Sequence, residues 1–273
     1  MLCRYLQKIL LFVLGLSISP WVIAHEFWLA PLRFEVASGE NIQAHIKVGQ
    51  KLQGETYAFF PNNFERFDLT VANSTQPLRM RFAQSPAVDE PTTQAGLHIL
   101  SYQSKPAKLK YESPEKFESF LKNEGIEWVL EAHQKRGLPA LDFVELYKRY
   151  AKSLIKVGDG AGQDQAMGLA FEWVVKTNPY TTKPLNAVQA QLLYLDKPFA
   201  NAYVVVFKQA QGKVEKQTYR TDAQGLVSIP VGQGGMFLVN AVHMIEPTPK
   251  HVGDLPADWL SLWASTTYQL PER

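Results

Sequence analysis

The sequence predicts a mainly β chain: two antiparallel β-sandwich domains with a helical bridge or insert between them. Three observations carry that expectation. Apolar residues recur at every second position through residues 27–111 and again from about 166. Polar turn clusters separate these short runs at the spacing of sandwich strands. Between the two β regions, at Ser113, the period switches to that of a helix.

In PLRFEVASGENIQAHIKVGQ, Phe34 and Val36, then Ile42, Ala44, Ile46 and Val48, alternate on either side of a Ser38-Gly39-Glu40-Asn41 turn. Further strands are expected over 67–71, 78–82 and 96–102, giving an N-terminal sandwich over 25–112. Ser113 then stands at an N-cap, with Pro114 and Glu115 in the first turn and Gly125 ending or interrupting the helix. Phe117, Phe120, Leu121, Ile126, Val129 and Leu130 form its apolar stripe. Leu146, Tyr147, Tyr150 and Leu154 predict a second helix over about 143–155, so the bridge spans 113–157. Residues 157–163, VGDGAGQ, read as a flexible linker. From 166 to 273 the pattern is β again, with strands at 169–176, 186–194, 202–209, 216–220, 226–229, 236–242 and 259–270.

Residues 1–24 have the anatomy of a cleavable secretory signal: Arg4 and Lys8, an apolar run from Ile9 to Ile18, and small Ala24 before the cut. The run is short for a membrane span. The expectation is an exported, periplasmic protein whose mature chain begins at His25. Cys3, the one cysteine, leaves with the signal, which removes disulfides and thiolate metal sites. Loss of Arg4 and Lys8 brings 28 basic residues to 26, equal to the 26 acidic ones. A neutral chain lacks the concentrated positive field that nucleic acid needs, so no nucleic-acid partner is expected.

DKPFANAYVVVFKQ, KQTYRTDAQGLVSIPV and GGMFLVNAVH resemble the transthyretin-like or carboxypeptidase-regulatory-like sandwich, although Asp196 and Asn201 replace glycines of that pattern. This implies an immunoglobulin-like or transthyretin-like architecture. A wider resemblance runs through HEFWLAP, EKFESFLKNEG, ELYKRYAKSLIKVG, NAVHM and DWLSLWAST, in that order. Together they are similar to the exported family called domain of unknown function 4198. Some of its members occur with nickel or cobalt uptake systems, which implies periplasmic metal handling.

A first-residue histidine offers its α-amine and Nδ1 to one ion, and a second imidazole can complete a three-nitrogen set similar to the histidine brace of copper proteins. Tetragonal nitrogen coordination suits Cu(II) or Ni(II). The candidate metal ligands are therefore His25 and His243, the latter at a strand end beside Met244. Each has a plain alternative: a frayed terminus for His25, and a hydrogen-bonded strand-end imidazole for His243. His45 and His251 read as surface residues, and His98 and His133 as solvated ones. Glu26 is a poor ligand if the strand alternates there. Asp258 either orients an imidazole or caps the turn before Trp259. Trp28, Trp259 and Trp263 either wall a site or fill the core.

No G-x-S-x-G, H-E-x-x-H, Walker or EF-hand pattern occurs, and Gly158–Gly162 lacks the Lys-Ser/Thr of a phosphate loop. The leading expectation is a non-enzymatic accessory protein that captures nickel, cobalt or copper for an inner- or outer-membrane transporter. An envelope interaction module without metal is the alternative, and copper redox chemistry a third.

Overall fold

The computed structural model describes residues 26–253 and 255–272. Residues 1–25, which include the segment expected to be a signal and His25, lie outside the described residues. In chain order the strands are β1 (Glu26–Pro31), β2 (Glu35–Val36), β3 (Asn41–Gln50), β4 (Gln53–Tyr57), β5 (Phe64–Val71), β6 (Ser74–Pro77), β7 (Val88–Pro91), β8 (Gly96–Ser104) and β9 (Ala107–Lys110). Helices α1 (Pro114–Asn123) and α2 (Trp128–Lys135) follow. The second half comprises β10 (Val144–Val157), β11 (Phe171–Val175), β12 (Ala187–Tyr194), β13 (Lys197–Pro198), β14 (Tyr203–Ala210), β15 (Lys213–Arg220), β16 (Leu226–Pro230) and β17 (Gly235–Ile245). A short helix, α3 (Pro249–Val252), precedes β18 (Trp259–Leu270).

The chain is mainly β and sandwich-like, as its alternation predicts. Its two sandwiches share their middle layer. A ten-stranded sheet runs β15-β14-β17-β18-β10-β8-β5-β6, with β2 and β9 also paired to β10. The β1-β3-β4 sheet, with β7 on β3, covers part of one face; the β11-β12-β13 sheet, with β16 on β12, covers the other. The seam is the parallel pairing of β10 with β18, where Glu145 stands opposite Trp259 and Ser153 opposite Thr267.

Strand β10 corrects the sequence reading, which makes 143–155 a helix. Leu146, Tyr150 and Leu154 do recur at helical spacing, but they share a strand face with Lys148 and Lys152. Both lysines are buried, on ion pairs with Glu65 and with Asp164. Charged residues that look like a solvated helix face are interior groups of a central strand. The supposed linker after β10 is also pinned, because Asn178 donates through Nδ2 to the carbonyls of Gly160 and Gly162, at 2.9 and 2.8 Å. Residues 78–82, expected as a strand, form none, and β6 at Ser74–Pro77 pairs with β5 instead.

The helical insert is shorter than expected and lies over one end of the central sheet, where Phe117, Phe120 and Val129 pack on Val242, Met244, Trp259 and Trp263. Gly125 makes this seating possible. It adopts φ +65°, and a β-carbon there would fall 2.3 Å from Cγ of Tyr203. Only glycine meets both demands, so α1 ends with Glu124 pressed toward the sheet.

Candidate functional site at the start of the first strand

Strand β1 runs along β18 like a wedge on one face of the central sheet. Its backbone is fixed there by Thr267, whose hydroxyl lies 2.8 Å from the Leu29 carbonyl. Alternation sends Phe27 and Leu29 into the N-terminal core, against Ala151, Ile155 and Val157. Trp28 takes the other side, against Val205, Phe207 and Leu238. Glu26 has the phase of Trp28, which brings its carboxylate to Glu124, after α1, and toward Asn240 of β17.

Glu124 is buried and Glu26 half-buried, and the two carboxylates feel each other's charge. Asn240 donates through Nδ2 to Oε2 of Glu124 at 3.4 Å. Oδ1 of Asn240 and Oε2 of Glu26 have no partner among the described residues. Burial, then the negative field of Glu26, pushes the Glu124 carboxyl up to about 8, partly opposed by Lys216. Burial also raises Glu26, against backbone hydrogen bonds and the nearby Lys216 and Lys51. Two carboxylates whose charges are coupled away from water hold a proton more readily than two negative charges.

His243 is elsewhere. In β17, Phe237, Val239, Ala241 and His243 face the C-terminal sandwich, whereas Leu238, Asn240 and Val242 face β1 and the helices. The His243 ring sits among Phe199, Tyr194 and Phe171, with centroids 4.5, 4.8 and 5.9 Å away. Burial there pushes its pKa down to about 4. The sheet itself separates this imidazole from the Glu26 carboxylate. The expected partnership of His25 with His243 therefore has one member outside the described residues and the other on the far face from Glu26.

Two histidines that read as solvated in the sequence are interior. His98 is buried, with Nδ1 3.2 Å from the Gly96 carbonyl. His133 accepts from Trp259 Nε1 at 3.0 Å on Nδ1, which leaves Nε2 as donor to the Pro139 carbonyl at 2.9 Å. That pattern fixes a neutral tautomer. His45 is half-buried on β3 with Nδ1 unpartnered, and His251 meets the Thr248 hydroxyl at 3.0 Å. Asp258 caps the approach to β18, accepting from the Val144 amide at 2.8 Å. Trp28, Trp259 and Trp263 are core residues.

Sequence reasoning misses Glu124, Asn240, Glu145 and Arg149. Glu145 is buried beneath the helices, accepting from Tyr111 at 2.8 Å and from Ser261, which in turn accepts from Trp263 Nε1 at 2.9 Å. Burial raises its carboxyl to about 7. No spacing rule marks these residues, since their partners come from distant elements. The β10 members are further hidden by the helical spacing of that strand. Among the described residues no group of three His, Cys, Asp or Glu is arranged to hold a metal.

No curated protein sequence matched the chain. Among solved structures, the D0-D1 domain of Intimin is similar at 12% identity and a TM-score of 0.20, over 88% of this chain and 96% of that one. The family profile described as a domain of unknown function, DUF4198, matches residues 22–245, and the chain belongs to that family.

Proposed function

We propose that this protein is an exported, periplasmic accessory that binds a divalent transition metal at its mature N-terminus and passes it to a membrane uptake system. One observation supports the reading above others. The residue that follows His25, Glu26, has a carboxylate whose charge is felt by the buried Glu124 and whose Oε2 has no partner among the described residues. Cleavage after Ala24 would add the two missing nitrogen donors, the His25 α-amine and imidazole, one residue away. A mixed set of nitrogen and carboxylate donors favours Ni(II) or Cu(II), with Co(II) as a weaker candidate. His243 is left as a packing residue in this reading.

Binding should release protons, from the α-amine near pH 8 and from Glu124 near the same value. Affinity for the ion therefore climbs from pH 6 to pH 9. Calorimetric titration of Ni(II), Cu(II) and Co(II) into chain beginning at His25 tests this directly. One extra residue before His25 should weaken binding at least tenfold, and Glu124→Gln should weaken it severalfold, while His243→Ala leaves it unchanged. Equal affinity with and without the extra residue would sink the chelate and leave an interaction module as the better reading.

A further inference from the structure

A second feature, independent of the metal reading, lies at the open end of the N-terminal sandwich. A cleft of about 340 Å³ separates the β1-β3-β4 sheet from the central sheet there. Six aromatic side chains line it, Phe27 and Tyr57 on one side, Phe60 and Phe64 at the end, and Tyr102 and Tyr147 on the other, among aliphatic and small polar residues. Only two lining residues are charged, Arg149 and Lys105, and both are cations.

Arg149 is the informative one. Its guanidinium carbon lies 4.8 Å from the centroid of the Tyr147 ring and 5.3 Å from that of Phe27. Nε is buried without a partner, and among the described residues the side chain makes neither an ion pair nor a hydrogen bond. Its backbone amide alone is engaged, with the Ser104 hydroxyl at 2.9 Å. The two buried lysines of the central sheet are answered: Lys152 by Asp164 and Glu172, and Lys148 by Glu65.

A cation withdrawn from water without a counter-charge destabilises a fold, and such groups are normally paired. Arg149 occupies the position on β10 where the packed core gives way to the cleft, since the residues that follow on its face, Ala151 and Ile155, are core. With Nε enclosed, the Nη groups are what this partly exposed side chain can offer the cleft, and a guanidinium edge matches a carboxylate in two parallel hydrogen bonds. The surrounding rings supply flat apolar walls, and a cleft of this size falls in the range of small-molecule sites.

We propose that this cleft binds a small organic acid whose carboxylate pairs with Arg149 and whose planar aromatic body packs between Tyr57 and Tyr102, with Phe60 at its end. Lys105, exposed at the rim, adds attraction for the anion.

The probe is 1-naphthoate, titrated calorimetrically into the mature chain, with 1-naphthamide as the uncharged counterpart and inorganic phosphate as a bare anion. The acid should bind at least tenfold more tightly than the amide, and phosphate should not displace it at equal concentration. Arg149→Met should lose at least tenfold in affinity, and Lys105→Gln severalfold. Removal of an unpaired interior cation should leave the fold intact, which circular dichroism checks, and Lys105→Gln tests the charge without touching the core. An extra residue before His25 should leave naphthoate binding unchanged, which separates this site from the metal reading. The proposal is overturned by any of three results: no naphthoate binding at millimolar concentration, equal binding of acid and amide, or a folded Arg149→Met protein with undiminished affinity. Competition by phosphate as strong as that of naphthoate would also overturn it, in favour of a simple anion site.

Discussion

The two faces of the central sheet handle buried charge in opposite ways. On the face toward the C-terminal sandwich, a continuous apolar core surrounds ionic groups that are fully answered. Lys152 holds Asp164 at 2.7 Å and Glu172 at 3.6 Å, and donates to the carbonyls of Gln165 and Trp173. Asp164 and Glu172 in turn accept from the amides of Val175, Met167 and Leu169. On the other face the core breaks into three clusters around β1. Between them lie Glu26, Glu124, Asn240, Glu145 and Arg149, several with atoms that have no partner among the described residues. The first arrangement ties layers together. The second keeps unanswered charge beside a cleft and a strand start, which is where binding needs it.

Removing the compensating cation on the closed face should produce the largest effect. Lys152→Met leaves two carboxylates buried without their cation, and breaking a buried pair in this way costs about 3–5 kcal/mol. Urea unfolding should show that loss with the slope of the transition unchanged. A loss under about 1 kcal/mol would mean that the backbone amides alone stabilise both acids, and the contrast between the faces would fail.

On the open face, the opposite sign is expected. The folded-state value of Glu124, about 8, lies above its unfolded value near 4.5, so the folded protein holds a proton that the unfolded chain has released. Stability therefore falls as pH rises from about 4.5 to about 8, and the deficit persists above that. Glu124→Gln removes the ionisation while keeping an oxygen for Asn240. Each tenfold difference in proton affinity between the folded and unfolded chain is worth about 1.4 kcal/mol. The substitution should therefore stabilise the apo-protein by roughly 2–4 kcal/mol at pH 9 and change little at pH 4. Thermal melts at both pH values make the comparison. Equal effects at the two would show that Glu124 does not carry the buried charge.

This division of roles is half legible in the sequence. Strand β18 is predicted over 259–270 and is found there, because its flanking Asp258 and Pro271 and its unbroken apolar and hydroxyl run leave little choice of register. Helix α1 is announced by Ser113, Pro114 and Gly125. Strand β10 is not legible, because Lys148, Lys152, Glu145 and Arg149 are the residues that ordinarily mark solvent, and only tertiary partners reveal that they are inside. The same fact hides the candidate site. Strand alternation argues against Glu26 as a ligand, an argument that does not foresee that both sides of this strand are covered. Glu124 and Asn240 meet across 116 residues of chain, a proximity that no local pattern encodes.

His243 gives the last and smallest test, on the closed face. Its ring meets aromatic side chains and no charge partner, and burial lowers its value from 6.5 to about 4. The unfolded chain takes up a proton between those values that the folded protein refuses. Stability due to this residue is therefore complete above about pH 6.5 and is lost as pH falls through 4. His243→Leu removes the titration, so it should gain about 1–3 kcal/mol relative to the parent at about pH 4.5, with no matching gain at about pH 8. Because neither Glu26 nor Glu124 shares this face, the same variant should leave the alkaline stability deficit of Glu124 untouched. The two substitutions should then combine additively, as independent sites do. A coupling above about 0.5 kcal/mol would mean that the sheet transmits between its faces, and the imidazole would have to be reconsidered as part of the N-terminal site.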